Sequence, residues 1–243
     1  ILDDDRPSSQ RVRAVEILVE LFEAAGLDLL SKSAAKAPAA VRARIAWAIG
    51  RANPLRPDLA DLAPFLADRD PQVGRAACEA LLGAEKGLQW RLAFPGLLQQ
   101  LDSRDRWCRR AAAAAVGRMP AGTWKTFQRL IPDLGPRARV AAWLGGGVHV
   151  KDLDRRGLAV ALDVLAGKSS EDVADSLKLE AVRLAQLALG DVGPVQGRPA
   201  VFDGYGARLP AEVISPVAGE VARHVLAAFP SGHRELDHEL ARL

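Results

Sequence analysis

Aromatic residues are scarce in this sequence, 5% of the chain with a single tyrosine, and β-branched residues are thinly spread. Sheets draw on those side chains to pack their faces, so the shortage argues against a β fold and favours helix. Cysteine occurs only twice, as Cys78 and Cys108. Two cysteines cannot make a disulfide scaffold, and neither a C-x-x-C pair nor a C-x-x-C-H haem attachment is present. An excess of charge of one sign is also lacking: 33 Lys and Arg stand against 30 Asp and Glu, a formal net charge of +3. A dedicated nucleic-acid binder carries a clustered basic excess, so this balance argues against one. No run of eighteen apolar residues suggests a membrane span. The short signatures of catalysis are missing too. There is no G-x-S-x-G elbow, and Gly145-Gly146-Gly147 is not followed by the Lys-Ser/Thr of a phosphate loop. No catalytic, cofactor-binding or metal-binding residue is assigned, and no cofactor is expected.

Alanine and leucine are abundant, and 49% hydrophobic residues exclude disorder throughout. Apolar positions recur at helical spacing over 11–25, from Pro38 to near Gly50, and over 58–67, where Pro64 marks a kink or early stop. They recur again over 69–83, 88–101, 106–117, 123–131, 136–145, 157–166 and 179–190. Residues 191–210 differ in kind: glycine and proline are dense and the periodicity is lost. Helix returns over 211–229, and Pro230-Ser231-Gly232 turns the chain into a last helix. This predicts helical repeats over 1–190, an excursion loop over 191–210 and terminal helices over 211–243 that complete or cap the stack. The chain opens on Ile1 and stops at Leu243 inside a helix, so it is expected to be a piece of a larger protein. The compartment stays open.

Gly50, Gly83, Gly117 and Gly145 stand 33, 34 and 28 residues apart, each expected to end the second helix of a pair. Paired helices at a period of about 30 to 45 residues mean a solenoid. The predicted fold is all-α, an α-solenoid in which antiparallel helix pairs stack into a right-handed superhelix. One residue before each glycine stand Ile49, Leu82, Val116 and Leu144; five before stand Ile45, Cys78, Ala112 and Val140. These share a face and form the predicted buried seam. Eight before stand Arg42, Arg75, Arg109 and Arg137. Each arginine fork can reach a carboxylate or a helix-end carbonyl of the adjoining unit, with Asp68, Asp70, Asp102, Asp105 and Asp133 nearby in sequence. The alternative is a basic concave surface for an acidic partner.

The segments DPQVGRAACEALLG and DRWCRRAAAAAVGRM resemble HEAT repeats, which are armadillo-like, in the form D-x-x-V-R-x-x-A-A-x-A-L-G. Gly74 stands where arginine is usual and Trp107 where valine is usual. The resemblance covers roughly residues 11–190 and implies an architecture, since HEAT repeats serve many unrelated functions. EAVRLAQLALGD, with AAFPSGHRELDHELARL after it, resembles segments of large HEAT-containing proteins of planctomycete-type bacteria. That resemblance implies export, and neighbouring propeller dehydrogenase-like and c-type cytochrome domains. Its Phe-Pro-x-x-x-x-x-Leu-x-x-Glu-Leu pattern falls on Phe229, Pro230, Leu236, Glu239 and Leu240, which it implies are structural.

Candidate interaction residues follow. Trp90, Trp107 and Trp124 recur every 17 residues, about half a repeat, so consecutive helices would present them on one side as core, rim or an aromatic groove. Alkylated-DNA glycosylases of HEAT-like build use tryptophans and an aspartate in a basic groove, but no aspartate here matches that role. In the loop, Phe202 and Tyr205 would anchor a partner or cover the terminal repeats. His233, Asp237 and His238 lie close on one helix, a pattern far weaker than a zinc motif. Cys78 and Cys108 read as small buried hydrophobes. The expected function is a non-catalytic protein-interaction scaffold or spacer, its partner another protein or a neighbouring domain of the same polypeptide. The alternatives are a nucleic-acid-binding HEAT-like protein, including a glycosylase, and a helical accessory domain of a dehydrogenase- or cytochrome-type protein.

Overall fold

Aspartates start several helices. Asp70 accepts from the backbone N–H of Gln72 at 2.9 Å, with Pro71 as the first helical residue. Asp105 accepts from Trp107 and Cys108 N–H at 2.8 and 2.9 Å, and Asp154 from Gly157 N–H at 2.9 Å. Each satisfies first-turn donors that have no partner inside the helix. The computed structural model describes residues 5–22, 30, 34–52, 59–83, 90–150, 154–167, 174–190 and 210–243, and among these every regular element is a helix. The chain divides into two compact units, residues 1–133 and 134–243, so the division falls inside the block expected to run to 190. Among the described residues, no helix is long and apolar enough to cross a membrane.

The first unit contains α1 (Ser8–Phe22), α2 (Ala39–Ala52), α3 (Leu59–Leu66), α4 (Pro71–Leu81), α5 (Phe94–Leu101), α6 (Arg106–Arg118) and α7 (Ala121–Phe127). Helices α1, α2, α4 and α6 pack in series, each against the next. Helices α3 and α5 pack on each other and back onto that row. The core lies between, and Ile45, Leu62, Val73, Leu97 and Leu101 are fully buried in it. Pro64 does not stop α3, which runs through it. Pro95 lies in the first turn of α5, a place where its missing N–H costs nothing.

The predicted seam holds at Ile45, Ile49, Cys78, Ala112 and Val116, all buried. It fails at Leu82, which is only half-buried because α4 ends at Leu81, and Leu81 takes the core position. Nor do all the periodic glycines end helices. Gly50 and Gly117 lie inside α2 and α6, and only Gly83 follows a helix end in this unit. Gly50 marks a crossing: a Cβ added there would stand 2.6 Å from the Cβ and 2.8 Å from the Cα of Ala80. The missing side chain lets α2 and α4 touch backbone to side chain.

The second unit contains α8 (Pro136–Gly146), α9 (Arg155–Leu165), α10 (Asp175–Ala188), α11 (Ala211–Ala228) and α12 (Arg234–Leu240). Helix α8 packs on α9 and α10, α9 on α10 and α11, and α10 on α12. Val140 is buried as predicted, but Leu144 is half-buried, and Gly145 lies within α8. Gly190 does follow a helix end, at φ +95°, a conformation that favours glycine. Asp154 is buried beneath Gly157, whose hydrogen leaves room for the carboxylate, and burial raises its pKa against the Gly157 and Arg156 N–H groups that lower it. Of the tail pattern, Leu236 and Leu240 are buried. Glu239 Oε2 accepts from the buried Gln186 amide at 3.1 Å, tying α12 to α10. Phe229 is exposed.

Candidate functional site

The four arginines at one repeat position do different things. Arg42 forks onto Asp68, Nε to Oδ2 at 2.7 Å and Nη2 to Oδ1 at 2.9 Å, while its Nη1 donates to the Ala37 carbonyl at 2.7 Å. Asp68 lies between α3 and α4, so this fork reaches the adjoining helix pair as predicted. Burial pushes the Asp68 carboxyl up, but the Arg42 fork and the Asp70 and Arg69 N–H groups outweigh it and hold it below its usual value. Arg75 instead pairs within its own helix, Nε to Glu79 Oε1 at 2.7 Å, with both side chains about half exposed. Arg109 is buried, and its Nη1 donates to the Ser103 and Arg104 carbonyls of the turn before its own helix. Arg137 is half-buried in the first turn of α8. The identity of the residue is periodic, but its partner depends on what the neighbouring turn presents.

A second polar device was not legible in the sequence. Gln100 is buried on α5, its Nε2 donating to the Leu66 carbonyl at the end of α3 at 2.7 Å. Its Oε1 accepts from Cys108 Sγ on α6 at 2.8 Å. A Cβ at Gly74 would fall on top of this amide. The departure from the HEAT pattern at Gly74 is therefore the space that Gln100 fills. Burial pushes the Cys108 thiol up to about 11 and the Cys78 thiol well above its ordinary value. Both are poor nucleophiles, since the thiolate is the reactive form.

The tryptophans spaced by 17 do not share a side. Trp90 and Trp124 are buried, and Trp124 joins Phe127 and Phe94 in a ring cluster with centroids 6.3 and 4.9 Å apart. They belong to the core and cannot receive a partner. Trp107 is 47% exposed. Equal spacing across turns does not fix how consecutive helices are rotated. Phe202 and Tyr205 lie outside the described residues. His233, Asp237 and His238 do not form a metal site: Asp237 accepts from the Ser231 N–H at 2.6 Å, and among the described residues no His, Cys, Asp or Glu group could hold a metal ion.

Along α2, α4 and α6 the residues not buried in the row include one stripe on each helix. On α2 it is Arg44, Trp47 and Arg51; on α4, Gln72, Arg75 and Glu79; on α6, Trp107, Arg110, Ala114 and Arg118. These are the positions left over once each helix has packed on its neighbours in the row and on α3 or α5. Two of the stripes carry an indole under a guanidinium. Arg44 lies 4.9 Å from the Trp47 ring centre and also pairs with Glu16 at 3.3 Å. Arg106 and Arg110 lie 4.8 and 5.9 Å from the Trp107 ring centre.

Comparison with known proteins returns no matching family model, no matching curated protein and no matching solved structure.

Proposed function

We propose that this chain is a non-catalytic interaction scaffold, an α-solenoid of HEAT-like helix pairs that receives a protein partner or a neighbouring domain of its own polypeptide. The observation that carries this reading is the outward side of α2, α4 and α6, where the Trp107 indole and the Arg51, Arg75, Arg110 and Arg118 guanidinium groups stand exposed and Arg44 and Trp47 are half-buried. Tryptophan and arginine are the residues most often decisive at protein interfaces, because each offers large contact area with directed polar atoms. The serial packing of α1, α2, α4 and α6 supports the solenoid, since a helix row buries its stripe only by adding neighbours. A helical accessory domain in a dehydrogenase- or cytochrome-type polypeptide is one form of the same function. The test is a photo-crosslinking amino acid placed at Ala114, on the outward stripe, and separately at Lys125, exposed on α7. Irradiation in the native host is expected to give a discrete adduct from position 114 and none from 125. Equal labelling at both, or no adduct at 114, contradicts the scaffold.

A further inference from the structure

We propose that Arg106, Trp107 and Arg110 form a recognition site for an acidic peptide segment, an assignment that rests on the scaffold reading and names the chemistry of its partner. Trp107 leaves 47% of its surface in water, whereas Trp90 and Trp124 leave 2% and 5%. Burying that ring against a partner's aliphatic side chain supplies the apolar part of binding. The two guanidinium groups that flank it supply the charged part. Arg13, Arg42 and Arg75 each pair with a carboxylate, at 3.0, 2.7 and 2.7 Å. Arg106 and Arg110 have no such carboxylate among the described residues, and their guanidinium groups lie 4.8 and 5.9 Å from the Trp107 ring centre. The acid next in sequence, Asp105, is turned onto the Trp107 and Cys108 N–H groups of its own helix.

A fork lying against a ring loses less freedom on binding a carboxylate than a free arginine does. Further along the same stripe, Ala114 offers a small side chain that lets a partner backbone approach, and Arg118 stands exposed at the end of the helix. A peptide lying along α6 would meet an arginine pair around the indole, then a flat step, then a third arginine. The arrangement fits a peptide better than a nucleic acid. Phosphates need a continuous basic track. On the neighbouring helix α4 the outward stripe carries Glu79, locked to Arg75, which breaks the track one helix away.

The experiment is fluorescence anisotropy at low salt with three labelled probes: a short glutamate–leucine peptide, the same peptide with glutamine for glutamate, and a single-stranded oligothymidylate of equal charge. The acidic peptide is expected to bind in the micromolar range, and the glutamine peptide at least about tenfold more weakly. Trp107→Ala weakens the acidic peptide about tenfold, and Arg106→Gln with Arg110→Gln removes it, while Arg75→Gln changes it less than about twofold. Circular dichroism melts of all variants stay at the parent value, since none of these side chains is buried. Three results overturn the proposal: no binding of the acidic peptide, binding undiminished in the double arginine variant, or tighter binding of the oligonucleotide. If the peptide fails while position 114 still gives its adduct, the acidic chemistry is wrong and the scaffold stands. If both fail, the scaffold falls with it.

Discussion

Gly74→Arg is expected to lose about 4 kcal/mol of stability and lower the unfolding midpoint by roughly 10 °C. The reason is that position 74 is buried and the space beside it already holds the Gln100 amide. A new side chain must displace that amide, and the Leu66 carbonyl then loses its 2.7 Å donor inside the core. Overpacking and an unsatisfied carbonyl each cost about 1–3 kcal/mol. Adding Gln100→Ala makes room but leaves the carbonyl without its donor, so the double variant recovers only part of the loss. Chemical denaturation of the parent, both single variants and the double variant measures this directly. A neutral Gly74→Arg would mean that Gln100 does not occupy the core as described.

The second large effect belongs to Arg42. Replacing it with methionine removes both bonds to Asp68 and the bond to the Ala37 carbonyl, and leaves a half-covered carboxylate without its fork. The expected loss is about 2 kcal/mol at neutral pH. Lysine does not restore it, because a single ammonium cannot span three acceptors in one plane. Arg75→Met at the same repeat position is expected to cost no more than about 0.5 kcal/mol, since its pair with Glu79 is exposed and local. The Arg42 effect also depends on pH. Asp68 titrates lower in the folded chain than in the unfolded one, so its pair stabilises fully above the ordinary carboxylate pKa of about 4. That contribution disappears as pH falls through the folded value. Denaturation at stepped pH is therefore expected to show parent and Arg42→Met converging in acid. A constant difference down to strongly acid pH would contradict the pair.

Much of this fold was legible as pattern. The aspartates that open α4 and α6 do what a short acceptor before a helix does. The buried seam was legible at Ile49 and Val116, but not at Leu82, which falls just past the last turn of α4, nor at Leu144, which is half-buried within α8. Contacts between elements were harder to read. Gly50 looks the same in sequence whether it ends a helix or admits a neighbour, and only the place of Ala80 decides. Gly74 showed that a side chain was missing but not that Gln100, on another helix, takes its place. The positions of the candidate residues were not legible. Tryptophans and arginines were named as candidates, but Trp90 and Trp124 went into the core and Arg109 onto its own turn, because sequence spacing does not set helix rotation.

The central claim about the row is that α2 and α4 lie against each other with no gap at Gly50 and Ala80. A double-mutant cycle on Gly50→Ala and Ala80→Gly tests it most directly. Gly50→Ala alone is expected to cost about 1–3 kcal/mol despite the better helix propensity of alanine, because its Cβ meets Ala80. Combined with Ala80→Gly, part of that cost is relieved, giving a coupling of at least about 0.5 kcal/mol. Additive effects, or a Gly50→Ala variant more stable than the parent, would show that the two helices do not touch there.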